Sequence, residues 1–147
     1  MKLLIAIPAL NEEQSIRSTI QRCLEATPGI LGNSPVTDVE VTVISDGSTD
    51  RTVERAREFG SLINLIEFTR NQGYGAAIMG AWSGSEADLL GFLDADGTCD
   101  PARGREDVAS APSGEYWQCT TARTRKVLLH PTNEWSQYWW YVTYDWQ

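Results

Sequence analysis

The sequence predicts an α/β protein with a mostly parallel, Rossmann-like sheet that is flanked by helices. Short apolar runs alternate with segments of helical periodicity, which gives the order βαβαβαβ up to residue 100. Such alternation implies right-handed crossovers and helices on both faces of the sheet. The first run, Leu3 to Ile7, is continuously apolar, as in parallel strands that are covered on both faces.

The first strand and the first helix are predicted from residues 3–26. Pro8 is predicted to stop the strand, and Asn11 is predicted to cap the helix that follows. Apolar residues then recur at helical spacing up to about Ala26. Residues 27–38 are rich in Pro, Gly, Asn and Ser, and they predict a surface connection.

The remaining elements follow from the same patterns. Ser48 or Asp50 is predicted to cap the second helix, and Gly60 suits the position just after its end. A glycine-containing loop precedes a short, alanine-rich third helix. The predicted strands are Val39 to Ile44, Leu62 to Phe68 and Leu89 to Leu93, and the third helix is Gly75 to Trp82.

The chain changes character after residue 103, so we predict a folded unit over residues 1–103 and a separate tail over residues 104–147. The tail holds five of the six tryptophans and four of the five tyrosines, without a helical or strand period. One interpretation is an irregular, aromatic-rich subdomain that packs over the sheet. The other is a non-native continuation, from a chain cut short or read in a shifted frame.

Composition and charge restrict the possible functions. The chain has 147 residues, of which 41% are hydrophobic and 22% charged, as in an ordinary globular domain with a core of its own. Its net charge of −8 argues against a nucleic-acid polymer as partner, because phosphate contacts need a basic surface. An acidic enzyme can still bind a nucleotide when a cation bridges the like charges.

The cysteines and the apolar runs indicate the compartment. Cys23, Cys99 and Cys119 are an odd number without metal-ligand spacing, which predicts reduced thiols in a cytoplasmic setting. The apolar amino terminus is too short to span a bilayer and has no small-residue cleavage site. We therefore expect no transmembrane segment and, at most, peripheral contact with the cytoplasmic face of a membrane.

Two carboxylates follow the fourth predicted strand in the turn Asp94-Ala95-Asp96. Carboxylates this close repel each other and lose hydration, so a compensating group is needed. Mg²⁺ or Mn²⁺ provides it, because both take hard oxygen ligands together with water and phosphate. We expect this turn to hold a metal-bound diphosphate at the end of the sheet where such folds bind ligands. The alternative is a pair of solvated acids.

Three further loops are candidates for the same site, each with a structural alternative. Pro8 to Glu12 offers backbone groups and a carboxylate after the first strand, or is only a helix start. Asp46, after the second strand, accepts a hydrogen bond from a nucleobase or ribose, or caps its own turn. The loop from Arg70 to Ala77 approaches phosphate through its N–H groups, or is a tight turn.

Taken together, IPALNEE, VISDGSTDRT, NQGYGAA and FLDADGTCDP resemble the amino-terminal half of a family 2 glycosyltransferase. The motifs are most similar to those of dolichyl- and polyprenyl-phosphate sugar transferases, and the resemblance covers residues 2–101. It implies a GT-A fold, a nucleotide-diphosphate-sugar donor and a divalent metal, Mg²⁺ or Mn²⁺. It also implies transfer with inversion to an acceptor, for which a polyprenyl phosphate or a glycan is the candidate.

The resemblance also implies roles for individual residues. Asp46 matches the carboxylate that contacts the base, while the usual preceding aspartate is Ser45 here. Asp94 matches the family residue nearest the ribose and metal. Asp96 matches the residue that binds the metal and the diphosphate, and Ala95 lies between these two aspartates. The loop that lines the nucleoside is matched by Pro8, Ala9, Asn11 and Glu12. No block after residue 101 matches the segment that carries the family's general base, so no catalytic residue is assigned.

Two alternatives to a complete transferase stay open. One is a truncated half that binds a nucleotide sugar without turnover. The other is a phosphatase of the haloacid dehalogenase type, since Asp94 to Thr98 matches its D-x-D-G-T motif. That motif normally ends the first strand, and Lys126, the only lysine after Lys2, is followed by no acidic pair.

Overall fold

The computed structural model describes residues 1–99, residue 101 and the backbone of residues 117–118. Three helices are described: α1 (Ile16–Asn33), α2 (Thr52–Arg57) and α3 (Tyr74–Trp82), with a 3₁₀ turn at Gly60–Leu62. The strands are β1 (Lys2–Ala9), β2 (Asp38–Asp46), β3 (Asn64–Phe68), β4 (Leu89–Phe92) and β5 (Trp117–Gln118).

All the described strands are parallel and form one sheet in the order β3-β2-β1-β4-β5. The predicted α/β fold with a parallel sheet is thus confirmed. β1 pairs with β2 over its whole length, from Lys2–Asp38 to Ala9–Ser45, and with β4 from Leu3–Leu89 to Ala6–Phe92. The chain runs outward from β1 to β3 and then crosses to β4 on the other side. The strand order therefore reverses beside β1, where open α/β sheets have their ligand crevice.

The core has one layer on each face of the sheet, because alternate residues of β1 point to opposite faces. Ile5 and Ile7 lie in the layer that α1 and α2 cover, while Leu4 and Ala6 lie in the layer under α3. The first layer is built around Leu3, Ile5, Ile7, Ile16, Ile20, Cys23 and Val43, and the second around Leu4, Ala6, Ile44, Ala77, Ile78 and Trp82.

The start of α1 differs from the prediction. Asn11 was expected to cap the helix, but α1 begins only at Ile16 and Asn11 has a positive φ of 56°. Its carboxamide oxygen instead accepts the N–H of Thr49, at 2.8 Å, in the loop after β2. Asn tolerates this left-handed conformation better than most residues. The capping prediction was wrong because a tertiary hydrogen bond engages the side chain.

The end of α1 also differs, since the predicted connection over residues 27–38 is helical as far as Asn33. Pro28 lies inside the helix and lacks the N–H that would bond to the carbonyl one turn earlier. The hydroxyl of Thr27 donates to the carbonyl of Cys23 at 3.2 Å, and Ile30 is buried in the core. Burial of Ile30 outweighs the local preference of the sequence.

Pro8 was expected to stop the first strand, but it lies within β1 and pairs in register with Ile44. Pairing of β1 with β4 ends at Ala6, whose carbonyl accepts the N–H of Leu93 at 2.8 Å. Proline has no N–H with which to continue that ladder. Pro8 therefore limits the pairing of β1 with β4 but not its pairing with β2, which continues to Ala9.

The predicted boundary at residue 103 and almost all of the tail over residues 104–147 lie outside the described residues. β5 is the exception and was not predicted, because its aromatic-rich surroundings have no strand period. It pairs in parallel with β4 through Gly91–Trp117 and Phe92–Gln118. The boundaries of α3 and of the first four strands differ from the predictions by at most two residues at either end.

Ile5 tests the contribution of the central strand, because its side chain is fully buried between two paired strands. Replacing Ile5 by Ala removes buried methyl groups and leaves a cavity, so the free energy of unfolding should fall by about 2–5 kcal/mol. Urea titration followed by circular dichroism measures this loss. Leu62→Ala is the control, since Leu62 is 65% exposed and its loss should change stability by less than about 0.5 kcal/mol. Equal effects of the two substitutions would contradict the assignment of the core.

Candidate functional site

The candidate site lies at the carboxyl ends of β1, β2 and β4, because parallel strands bring these ends to one edge of the sheet. The loop over residues 10–15 follows β1, and the loop over residues 93–99 follows β4. These two loops flank the place where the strand order reverses. The loops after β2 and β3 lie beside the loop after β1, on the side away from β4. Most of the residues that the sequence nominates are in these segments.

The loops after β1 and β2 are joined by hydrogen bonds. The N–H of Asn11 donates to Ser48 Oγ at 3.1 Å, and Asn11 Oδ1 accepts the N–H of Thr49. The N–H of Glu12 donates to the hydroxyl of Thr52 at 2.8 Å. Asn11 therefore holds two loops together, a role that its expected contact with a nucleoside does not include.

Glu13 and Asp50 complete this junction reciprocally. Asp50 Oδ2 accepts the N–H of Glu13, and Glu13 Oε2 accepts the N–H of Arg51, both at 3.1 Å. Asp50 Oδ1 also accepts the N–H of Thr52, the first residue of α2, at 2.9 Å. Desolvation raises the pKa of Asp50, but the hydrogen bonds from Thr52 and Glu13 together outweigh it and hold the pKa below its usual range. The ionised carboxylate is thus part of the junction.

Pro8, Ala9 and Glu12 are placed differently from one another. Pro8 and Ala9 are buried at the end of β1, so they offer backbone rather than side-chain contacts to the crevice. The carbonyl of Ala9 accepts the hydroxyl of Ser48 at 3.4 Å. The carboxylate of Glu12 is half-buried and accepts the hydroxyl of Ser15 at 2.7 Å. Glu12 therefore offers the crevice an ionisable side chain, and the hydroxyl of Ser15 orients it.

Asp46, the last residue of β2, is 4% exposed and binds the loop that precedes α3. Its Oδ1 accepts the N–H of Gln72 at 2.7 Å, and its Oδ2 accepts the N–H of Gly73 at 2.9 Å. The structural alternative was that Asp46 caps its own turn. These bonds go instead to a loop that follows the next strand. Each carboxylate oxygen has a second lone pair, so a further contact with a base is chemically compatible.

Gly47 allows this loop to come close. Its φ is +75°, and a Cβ at this position would lie 2.4 Å from the N atom of Asn71 and 2.5 Å from the carbonyl carbon of Arg70. Both of those atoms are backbone, so they cannot rotate away. The absent side chain of Gly47 and the carboxylate of Asp46 together fix the loop over residues 70–73.

The Asp94-Ala95-Asp96 turn is held from the α1 side by backbone contacts. The hydroxyl of Thr19 donates to the carbonyl of Ala95 at 3.1 Å, and the guanidinium of Arg22 donates to the carbonyl of Gly97 at 3.1 Å. Ala95 is buried in the layer under α1. The two carboxylates on either side of it differ, since Asp94 is half-buried and Asp96 is exposed.

Each of these two carboxylates has a partner close by. Asp96 Oδ1 accepts the N–H of Thr98 at 2.8 Å and its hydroxyl at 2.7 Å. Asp94 Oδ1 accepts a short hydrogen bond from the hydroxyl of Tyr74, and Cys99 Sγ lies 3.8 Å from Asp94 Oδ2. Burial, together with the charge and hydrogen bond of Asp94, raises the pKa of Tyr74 well above its usual range. Tyr74 therefore stays a neutral donor.

The donor set fits a hard divalent cation that is completed by another molecule. Among the residues that the structure describes, no group of three or more His, Cys, Asp or Glu side chains could hold a metal alone. Asp94 and Asp96 supply carboxylate oxygens, one half-buried and one exposed to solvent. Mg²⁺ and Mn²⁺ are bound in this manner, through one or two carboxylates together with phosphate and water.

Sequence reasoning missed three residues that support the site. Thr19 and Arg22 hold the turn from α1, and Tyr74 donates to Asp94 from α3. Tyr74 lies within the motif NQGYGAA, but no pattern in the sequence pairs it with Asp94. Thr19 gave a weak signal, because a threonine on the buried stripe of a helix needs a partner for its hydroxyl.

The comparisons with known proteins agree with this geometry. The family described as "Glycosyl transferase family 2" matches residues 4–129. The dolichyl-phosphate beta-glucosyltransferase of Drosophila melanogaster is 34% identical over 125 residues, which are 80% of this chain and 38% of that protein. An undecaprenyl-phosphate 4-deoxy-4-formamido-L-arabinose transferase of Enterobacter sp. (strain 638) is 34% identical over 117 residues, 77% of this chain and 34% of that protein. The chain thus spans little more than a third of these curated relatives.

Solved structures share the fold. S. aureus TarS in complex with UDP-GlcNAc has a TM-score of 0.52 and 26% identity, over 65% of this chain and 27% of that one. A glucosyl-3-phosphoglycerate synthase from Mycobacterium tuberculosis, in complex with UDP, has a TM-score of 0.50 and 27% identity. The match covers 65% of this chain and 34% of the synthase. The mannosyltransferase PcManGT from Pyrobaculum calidifontis, in complex with GDP-Man and Mn²⁺, has a TM-score of 0.51 at 21% identity. The match covers 64% of this chain and 27% of PcManGT, and at this identity it shows the fold alone. They confirm the predicted GT-A fold for the described part of the chain.

None of the described helices is both long enough and apolar enough to cross a bilayer.

Gly47→Ala tests the close approach of the loops after β2 and β3. Alanine at a φ of +75° costs about 1–2 kcal/mol, and the contact with Asn71 and Arg70 adds to that cost. We expect the free energy of unfolding to fall by at least about 2 kcal/mol, measured by urea titration. Gly32→Ala is the matched control, because no atom lies within 4 Å of its added Cβ and helix α1 should gain up to about 1 kcal/mol. A tolerated Gly47→Ala would refute the close approach.

Asp50→Asn tests the junction of the first two loops through its dependence on pH. The pKa of Asp50 is lower in the folded than in the unfolded protein, so its ionisation stabilises the fold at a pH above about 3.9, the unfolded value. This contribution is lost as the pH falls through the folded pKa. The difference in unfolding free energy between wild type and Asp50→Asn should be largest near neutral pH and should shrink below about pH 4. A difference that stays constant across this range would contradict the proposed junction.

Proposed function

The chain belongs to glycosyl transferase family 2, and we propose that it moves a sugar from a nucleotide-diphosphate-sugar donor to an acceptor. The observation that carries the proposal is the position of the Asp94-Ala95-Asp96 turn. The turn ends β4 next to the reversal of strand order, and α1 and α3 hold it from opposite faces of the sheet. A pair of solvated acids would need no such support.

We place the nucleoside beside the loop after β1 and the end of β2. The buried ends of Pro8 and Ala9 offer backbone groups, and Glu12 offers a half-buried carboxylate. Asn11 keeps this loop against the loop after β2. Asp46 is proposed to contact the base with the lone pairs that its bonds to residues 72 and 73 leave over.

We assign the diphosphate and a divalent metal to Asp94 and Asp96, with Ala95 between them. When bound, Mg²⁺ or Mn²⁺ supplies Lewis-acid stabilisation of the charge that develops on the diphosphate. In this proposal the protein preorganises the two carboxylates for metal binding. Asp94 is fixed by Tyr74, while the more exposed Asp96 is oriented by Thr98. Such preorganisation lowers the cost of reorganising the site during the reaction.

The chemistry is a single displacement at the anomeric carbon. An acceptor oxygen forms the new bond while the bond from the anomeric carbon to the diphosphate oxygen breaks. The nucleoside diphosphate leaves with the bonding electrons, and attack from the opposite side inverts the configuration. A hydroxyl acceptor needs a general base for its proton, whereas a phosphate acceptor is already anionic.

We propose a polyprenyl phosphate as the acceptor. Support comes from the two curated relatives, whose names state that they act on dolichyl phosphate and undecaprenyl phosphate. The residues to which we assign roles all belong to the donor side of the proposed reaction. We further propose a cytoplasmic location, at a membrane surface, which is consistent with Cys23 and Cys99 being thiols.

The two alternatives make different predictions. A phosphatase of the haloacid dehalogenase type would use Asp94 as a nucleophile, but the turn follows β4 rather than the first strand, and the chain belongs to another family. A donor-binding unit without turnover would bind nucleotide sugar and metal without releasing nucleoside diphosphate. Release of UDP or GDP in the presence of a polyprenyl phosphate separates that unit from the transferase.

Asp96→Ala tests the proposed donor site in a thermal-shift experiment with UDP-sugars, GDP-sugars and Mn²⁺. In the wild type, donor and Mn²⁺ together should stabilise the fold by about 2.7 kcal/mol at a ligand concentration about 100 times Kd. Asp96→Ala should abolish the Mn²⁺-dependent part of this shift, because it removes a metal ligand from an otherwise intact turn. A wild type that shows no shift with any donor would refute the proposed function.

Two matched variants control for charge and for the turn. Asp38→Ala removes an exposed carboxylate from the opposite end of β2 and should leave the shift unchanged. Thr98→Val removes a hydroxyl that bonds Asp96 but leaves the carboxylate in place. It should weaken the shift less than Asp96→Ala does. If all three variants weakened the shift equally, the effect would be on folding and the assignment of Asp96 would fail.

A further inference from the structure

Tyr74 connects two acidic ends of the sheet that the sequence places far apart. It is the first residue of α3 and follows Gly73, whose N–H donates to Asp46 at the end of β2. Its own hydroxyl donates to Asp94 at the end of β4. Since β1 lies between β2 and β4, one short segment, residues 72–74, bridges across the central strand.

The ring of Tyr74 is fixed by an aromatic contact. It meets Phe92 edge to face, with ring centroids 6.1 Å apart and an interplanar angle of 84°. Phe92 also packs against Trp82 at the other end of α3, at 6.4 Å. Phe92 is the last residue of β4, lies in the layer under α3 and precedes Asp94 by two residues. The ring contact therefore brings the hydroxyl to Asp94.

The two oxygens of Asp94 receive different donors. Oδ1 accepts the hydroxyl of Tyr74, which is a strong donor to an ionised carboxylate. Oδ2 lies 3.8 Å from the thiol of Cys99, and a thiol is a weak donor that a stronger ligand readily displaces. The carboxylate is thus held firmly through one oxygen, while the other is better suited to an incoming ligand.

We propose that Tyr74 is the positioning residue for Asp94, holding one carboxylate oxygen so that the other can take the divalent metal of a bound diphosphate. This inference rests on the proposed function, because it requires a metal at Asp94 and Asp96. It assigns to α3 a part in metal binding that the family motif places only on the turn. The alternative role for Tyr74 is packing, in which the hydroxyl contributes to stability alone.

The substitution Tyr74→Phe separates these roles, since it keeps the ring against Phe92 and removes the hydroxyl. Mn²⁺ affinity is measured by electron paramagnetic resonance of free Mn²⁺, with UDP and, in parallel, with GDP. Loss of an outer-shell partner of a metal ligand typically weakens metal binding roughly 10–100-fold. We expect a loss of at least about 10-fold in Mn²⁺ affinity in Tyr74→Phe, measured where circular dichroism shows a folded protein.

Trp82→Phe is the matched control. Trp82 is also on α3 and also contacts Phe92, but its indole N–H donates to the carbonyl of Gly91 and not to a carboxylate. It should lower the melting temperature and leave Mn²⁺ affinity as in the wild type. A second variant, Phe92→Leu, keeps the Tyr74 hydroxyl but loosens the ring, and should weaken Mn²⁺ binding less than Tyr74→Phe.

The outcomes separate the two proposals. Wild-type affinity for Mn²⁺ in Tyr74→Phe would overturn the positioning role and leave the proposed function intact. Equal weakening by Tyr74→Phe and Trp82→Phe would also overturn it, since the effect would then come from packing. A wild type that binds no Mn²⁺ with either nucleotide would overturn both proposals together.

Discussion

The described structure depends on how the carboxylates at the carboxyl end of the sheet are satisfied. Asp46 is nearly buried, and an ionised group in that position is costly unless hydrogen bonds replace its hydration. Two backbone N–H groups of the loop before α3 do so. Those bonds fix where α3 begins, and the first residue of α3 then bonds Asp94. Because Gly47 has no side chain, the loop can come close enough for this sequence of contacts.

The turn after β4 is held by both layers of the fold. From one face, Thr19 and Arg22 of α1 bind its backbone carbonyls, while its apolar residue Ala95 is buried beneath that helix. From the other face, Tyr74 binds the carboxylate itself. The turn follows β4, which has a neighbouring strand on each side, so helices on both faces of the sheet reach it. The site lies beside the reversal of strand order at β1, where open α/β sheets bind ligands.

The sequence was sufficient to predict the helices and strands as far as β4 and their order along the chain, since apolar runs and helical stripes depend on local periodicity. It did not predict β5. It was also sufficient to nominate both carboxylates of the turn and Asp46, because acids directly after buried strands are conspicuous. It failed where a distant partner decides the conformation. Asn11 bonds a loop 38 residues away instead of capping a helix, and burial of Ile30 carries α1 past Pro28. Tyr74 could not be paired with Asp94 from spacing, because only the crossover to β4 brings them together.

The negative charge of both protein and donor is the reason that the proposed donor site includes a cation. The chain carries a net charge of −8, and the proposed donor is itself anionic. Two like charges 4 Å apart repel by about 4 kcal/mol at an effective dielectric constant of about 20. Hydrogen bonds from Tyr74 and Thr98 orient Asp94 and Asp96 but supply no positive charge. In the proposed site, a divalent ion between the carboxylates and a diphosphate would remove both repulsions at once, so metal and nucleotide would each improve the binding of the other.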